Sequence, residues 1–244
     1  MGTQGKHGIA WTNETWNPVT GCTKVSQGCK NCYAETIANR FWGDRKFTDV
    51  ICHKDRLDQP LHWRKPRMVF VNSMSDLFHD DVPFEFVDEI METMKRADWH
   101  TYQILTKRPE RCWEWIDERA KYTTYGFPRH VWIGVSVEDN EHLRRVEFLR
   151  GFPAGVRFIS FEPLLEDVGK IDLTGIHWVI VGGESGWNAR TMKLDWARQI
   201  RDECAKRGTA FFMKQMSEHD FPFGGYKDFP SFPKDLRIRQ FPNT

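Results

Sequence analysis

Short runs of apolar, β-branched or aromatic residues recur along the chain, each followed by a polar corner and then a stretch with helical spacing. The runs are Met68–Val71, Tyr102–Leu105, Val131–Val135, Val156–Ile159, Trp178–Val181 and Ala210–Met213. Continuous apolar runs of this length suit strands buried on both faces of a parallel sheet. Helical spacing is read at Phe84–Arg96, Glu110–Ala120, Glu141–Arg150 and Asp195–Arg207, with Phe84, Val87, Ile90, Met91 and Met94 on one face of the first. Strands alternating with helices imply βαβ units with right-handed crossovers.

An open doubly wound sheet and a barrel both fit this alternation. The barrel is favoured by where the polar residues fall. Each run is followed at once by Asn72–Asp76, Thr106–Arg108, Ser136–Glu138, Ser160–Glu162, Gly182–Glu184 or Lys214–Gln215, and barrel enzymes build their sites at the C-terminal strand ends. The expected fold is therefore α/β: a partial (β/α) TIM-like barrel of about six parallel strands. A barrel over residues 1–220 is expected, including a loop at 16–33, with an irregular tail at 221–244 packed on it. The length of 244 residues suits one such domain.

Lysine and arginine number 35 against 34 aspartate and glutamate, so net charge gives no field argument for a nucleic-acid partner. A local basic groove is still compatible with that balance. No apolar run approaches the roughly 20 residues that span a bilayer. No apolar stretch precedes Trp11, so no secretory signal is read. A cytoplasmic protein without a membrane partner is the expectation.

Of the cysteines, Cys22, Cys29 and Cys32 crowd together, while Cys52, Cys112 and Cys204 are scattered. A disulfide framework would spread paired cysteines through a short secreted chain. The cluster reads as reduced thiols with a purpose, spaced C-x6-C-x2-C. Gly21 and Gly28 precede Cys22 and Cys29, and glycine lets backbone approach an inorganic cluster and aim peptide N–H groups at its sulfurs. Three readings stand. An iron–sulfur cluster on three thiolates leaves one iron open. A structural zinc site needs a fourth ligand, which Cys52 or His53 could supply. A reactive dithiol would use Cys29 and Cys32 alone.

The motifs WNPVTGC, GCKNCYAE, NSMSDLFH, LTKRPER, GVSVE, FEPLL and VGGESG, running from Trp11 to about Gln215, resemble the radical S-adenosylmethionine superfamily. The match is nearest a phage- and bacteria-borne branch marked by W-N-P-x-x-G-C, distantly similar to spore photoproduct lyase. The superfamily's usual spacing is C-x3-C-x2-C. The longer first gap here keeps the zinc-stabilised binding module open as the alternative.

The resemblance implies a [4Fe-4S] cluster on Cys22, Cys29 and Cys32. It also implies S-adenosylmethionine as cofactor, cleaved reductively to a 5′-deoxyadenosyl radical that takes hydrogen from a second substrate. A nucleotide or nucleic-acid base is the expected class for that substrate. An electron donor such as a flavodoxin or ferredoxin is the expected partner. Asn72, Ser73, Ser75 and Asp76 match the stretch that holds the methionine ammonium, although a helix N-cap also explains Asp76. Lys107 and Arg108 are candidates for the methionine carboxylate or a substrate phosphate. Ser136 and Glu138 suit ribose hydroxyls. Gly182 and Gly183 suit adenine, and Glu184 a polar edge. Arg157, Glu162 and Lys214 are pocket candidates without an assigned role.

Cys112 and Cys204 fall inside helical patterns and read as core. His79 and His219 read as lone loop histidines, and Trp113 and Trp115 as part of an amphipathic helix. Trp11 and Trp16 are expected to shield the cluster.

Overall fold

A computed structural model describes residues 8–121, 126–186, 188–218 and 226–243. The chain is α/β. Its parallel strands are β1 (Glu14–Trp16), β4 (Met68–Val71), β5 (Thr101–Thr106), β6 (Val131–Ser136), β7 (Val156–Phe161), β8 (Trp178–Gly182) and β9 (Ala210–Gln215). Its helices are α1 (Tyr33–Phe41), α2 (Phe84–Arg96), α3 (Pro109–Ala120), α4 (Arg144–Gly151) and α5 (Leu194–Arg207). Two short strands, β2 (Val19–Thr20) and β3 (Ile51–Cys52), form an antiparallel ribbon with Val19 opposite Cys52.

Hydrogen bonding orders the sheet β1-β4-β5-β6-β7-β8-β9. The order never reverses. With right-handed crossovers, every helix then falls on the same face, which is the winding of a partial (β/α) barrel. A doubly wound sheet would reverse at a switch point. The sheet has seven strands, where six runs were legible. The added one is β1, which registers in parallel with β4, Trp16 beside Val71.

The chain divides into two compact units, and the division passes through β6 between Gly134 and Val135. The first unit comprises the chain up to Lys24, Ala34–Gly134 and Phe152–Gly155. Here β4 pairs with β5, Val71 beside Ile104. Val69, Val71, Tyr102 and Ile104 are buried, as are Ile90 and Met94 of α2 and Cys112 and Trp115 of α3. Trp16 lies 6.1 Å from Tyr102 and Trp11 lies 4.6 Å from Phe70, ring to ring. Both tryptophans are core rings of this unit.

The second unit comprises Val25–Tyr33, Val135–Gly151 and the chain from Val156 on. β7, β8 and β9 pair in parallel, with Ile159 beside Val179 and Val179 beside Phe211. Trp178 anchors this core between Phe158 at 5.6 Å and Phe212 at 5.8 Å. Met213 N–H donates to Ile238 O and Gln240 N–H to Phe211 O, so residues 238–240 run antiparallel along β9. His219 lies outside the described residues. No helix among the described residues is long and apolar enough to cross a membrane.

Candidate functional site

In the first unit, β4 and β5 end beside the segment that carries Cys22. Gly21 leads into it with φ +97°, a left-handed conformation that favours glycine. A Cβ there would stand 2.3 Å from Asp49 O, so the chain itself fills that space. Gly21 N–H donates to Met74 O and Cys22 N–H to Phe47 O. These amides are spent on backbone, not aimed at a sulfur as the glycine pattern suggested.

Asp76 is buried at the end of β4 and accepts from Thr106 Oγ1 (2.8 Å), Lys107 N (2.9 Å), Phe78 N (3.0 Å) and Arg108 Nη1 (3.4 Å). It is neither a helix cap nor an unoccupied acceptor; it ties the β4 end to the β5 end. Arg108 is buried too. Its Nη1 also reaches Cys22 Sγ at 3.6 Å, and its Nη2 donates to Thr23 O (3.1 Å) and Thr23 Oγ1 (3.0 Å). Burial alone would lower the Arg108 pKa, but Asp76 and Cys22 more than offset it and raise the value.

His79 belongs to this group. Its Nδ1 accepts from Asp81 N (3.1 Å), which leaves Nε2 to donate to Thr23 Oγ1 at 2.8 Å. Burial, with Arg108 nearby, lowers its pKa and keeps the ring neutral. Asn72 has φ +62° and accepts from Val19 N through Oδ1 (3.2 Å). Ser73 donates to Asn17 Oδ1 (3.2 Å) and Ser75 to Val19 O (2.9 Å). Cys52 ends β3 and His53 follows it, with His53 Nε2 meeting Thr20 Oγ1 at 2.7 Å. Burial, with Glu89, pushes the Cys52 thiol up.

In the second unit, the segment bearing Cys29 and Cys32 is held by two carboxylates. Glu138 is fully buried and accepts from Ser26 Oγ (2.9 Å) and Arg145 Nη1 (2.9 Å). Ser26 Oγ also lies 3.7 Å from Cys29 Sγ. Gly28 packs against Glu138 so closely that a Cβ would stand 2.3 Å from its Cγ. Ser136 is buried, and its carbonyl accepts from Arg145 Nη1 (2.8 Å).

Glu184 follows β8 and accepts from Asn31 Nδ2 (2.9 Å), Arg190 N (2.9 Å) and Arg190 Nε (2.9 Å). Arg190 Nη2 reaches back to Gln27 O (3.0 Å). Burial pushes the Glu184 carboxyl up, but Arg190 and Asn31 outweigh it and hold the pKa below the usual range. A Cβ at Gly183 would stand 2.4 Å from Ser217 N, so only glycine fits there. Glu162 pairs with Lys214 at the ends of β7 and β9. Arg157 sits instead near the start of β7, where Nε donates to Gly175 O (2.8 Å).

None of the six cysteines is joined in a disulfide. Cys22, Cys29, Cys32 and Cys52 are partly exposed, while Cys112 and Cys204 are buried. Burial pushes Cys112 well up and Cys204 up to about 12. Among the described residues, no group of three or more His, Cys, Asp or Glu side chains converges to hold a single metal ion.

A family model described as a protein of unknown function, DUF5131, matches residues 6–223. The chain belongs to the DUF5131 family. No curated protein matches it. Among solved structures it is similar to a mutant of spore photoproduct lyase, at 13% identity, covering 84% of this chain and 63% of that one, with TM-score 0.48. It is similar at 12% identity and TM-score 0.47, over the same shares of each chain, to a spore photoproduct lyase mutant with bound AdoMet and dinucleoside spore photoproduct. The DUF5131 chain thus spans 63% of the length of these structures.

Several supports of the DUF5131 cysteine segment were not legible as functional residues. Thr23 and Arg145 carry no motif of their own, and His79, the end of NSMSDLFH, read as a lone loop histidine. Asn31 and Arg190 meet at Glu184 only in the fold. The legible hint was position: Asn31 lies between Cys29 and Cys32, where a short amide can brace the turn that carries both thiols.

Proposed function

We propose that this chain is a radical S-adenosylmethionine enzyme whose Cys22, Cys29 and Cys32 ligate a [4Fe-4S] cluster. The observation that carries the reading is the contrast among the cysteines. The three of the C-x6-C-x2-C segment are part-exposed, with Arg108 bonded to Cys22 and Ser26 beside Cys29. The buried pair, Cys112 and Cys204, disfavours the thiolate that metal binding requires. The donor set fits the cluster in kind, because cysteine thiolates are the ligands that hold iron–sulfur clusters. The motif resemblance of the sequence supports the same reading.

Cys22, Cys29 and Cys32 would hold the cluster, which would supply the electron for cleaving S-adenosylmethionine to methionine and an adenosyl group that takes hydrogen from a second substrate. The chain's own residues bind, orient and exclude water. Asp76, Glu138 and Glu184 brace the strand ends and the cysteine segment through their bonds to Arg108, Arg145 and Arg190. Asn72, Ser73, Ser75, Lys107, Ser136, Gly182 and Gly183 are proposed to face the cofactor. The second substrate is proposed to be a nucleotide or nucleic-acid base, on the sequence resemblance alone. The electron donor is proposed to be a flavodoxin or ferredoxin, and the site of action the cytoplasm.

The test is anaerobic reconstitution with iron and sulfide, followed by metal analysis. Iron and sulfide should bind the native chain and be lost in Cys22→Ser, Cys29→Ser and Cys32→Ser, but kept in Cys52→Ser. Stoichiometric zinc that depends on Cys52, with no iron uptake, would overturn the proposal in favour of a zinc-stabilised module.

A further inference from the structure

We infer that Arg108 is a positioning residue that sets the reduction potential of the cluster through Cys22; the inference rests on the function proposed above. Arg108 lies just beyond β5, and its guanidinium is buried with both terminal nitrogens bonded. Asp76 holds one side at 3.4 Å, Thr23 takes two bonds at 3.0 and 3.1 Å, and Nη1 is left against Cys22 Sγ at 3.6 Å. Asp76 cannot swing away with it, because Thr106, Lys107 and Phe78 pin the carboxylate from the other sides. His79 fixes the Thr23 hydroxyl in turn. The result is a rigid cationic donor aimed at one sulfur.

Nothing else in that arrangement requires a guanidinium next to the thiol. An ion pair to Asp76 alone could be made by a shorter reach or by lysine. The planar fork is what allows one group to hold Asp76, Thr23 and Cys22 together. Hydrogen bonds to the sulfurs and local net charge are the protein's main controls on cluster potential. Reduction adds one electron and makes the cluster more negative. A buried positive donor at a ligating sulfur therefore stabilises the reduced state and raises the potential. The effect is strengthened by burial, where water screens little.

This gives Asp76 a different part from the methionine-ammonium acceptor that the motif resemblance implies. It anchors Arg108.

The experiment is a redox titration of the reconstituted protein, followed by electron paramagnetic resonance with a low-potential one-electron reductant. The native chain is read first for iron content and for a reducible cluster signal. In Arg108→Gln the reduced-to-oxidised ratio at fixed poise should fall about tenfold, equivalent to about 59 mV for one electron. Arg108→Lys keeps the charge but not the fork, and should lie between the two. Should Arg108→Gln not fold, Arg108→Lys carries the comparison alone. If both variants bind full iron at an unchanged potential, Arg108 is only a structural brace and the inference is wrong while the proposed function stands. If the native chain binds no cluster, both are wrong.

Discussion

A methyl group on Gly28 would lie 2.3 Å from Glu138 Cγ and 2.5 Å from its Oε1. That carboxylate cannot retreat freely, because Ser26 and Arg145 hold it. Gly28→Ala is therefore expected to destabilise the fold by about 1–3 kcal/mol, the usual cost of overpacking. It should also loosen the Cys29 segment and reduce iron retention. Gly155→Ala is the control, since its Cβ would meet nothing nearer than 3.7 Å. Thermal unfolding of the two variants makes the comparison; equal melting temperatures would show that Glu138 yields easily.

Asp76 is the buried partner of Arg108. Removing it in Asp76→Ala strands a buried guanidinium, a loss that runs to roughly 3–5 kcal/mol for buried pairs. Asp76→Asn keeps the shape and an acceptor oxygen, and should cost less. Urea unfolding of the metal-free chain reads both. A cost for Asp76→Ala no greater than about 1 kcal/mol, the range of surface ion pairs, would mean the pair is effectively solvated.

Glu184 titrates below the ordinary range because Arg190 and Asn31 outweigh its burial. Its folded pKa lies under its unfolded one, so its contribution is fully present above the unfolded value of roughly 4.3. That contribution is lost as pH falls through the folded value. The melting-temperature gap between the native chain and Glu184→Gln should then be widest near neutral pH and close on acidification. At neutral pH the gap should correspond to about 1.5–3 kcal/mol, as for hydrogen bonds to charged groups. A gap that widens as the pH drops would reverse the sign assigned to this group.

Cysteine reactivity follows exposure and thiolate character. In the metal-free chain, Cys22, Cys29 and Cys32 should alkylate well before Cys112 and Cys204, whose thiols are buried and pushed up in pKa. Mass spectrometry after brief iodoacetamide treatment separates the two sets. Equal labelling of Cys204 and Cys29 would contradict the burial assigned to α5.

Much of the sheet was readable because strands buried on both faces leave continuous apolar runs. Val131–Ser136 is buried at every position and was read nearly to its ends. β1 escaped because Glu14-Thr15-Trp16 has no such run; its pairing with β4 decides its state. α1 escaped for the opposite reason. Its large apolar residues Tyr33, Ile37 and Phe41 are exposed, and its buried positions are the small Ala34 and Ala38. The usual link between hydrophobicity and core is inverted there. The cysteine segment stands out in the sequence as a spacing pattern. Its braces do not, because Thr23 meets His79 across 56 residues and Asn31 meets Glu184 across 153. Such pairs have no local pattern to read.

The most direct test is product formation. The chain is reconstituted with iron and sulfide without oxygen, reduced, and given S-adenosylmethionine, with Cys32→Ala treated in parallel. Formation of 5′-deoxyadenosine by the native chain and none by Cys32→Ala is the expected result. A native chain that binds iron through its three cysteines yet leaves S-adenosylmethionine intact would contradict the proposed chemistry.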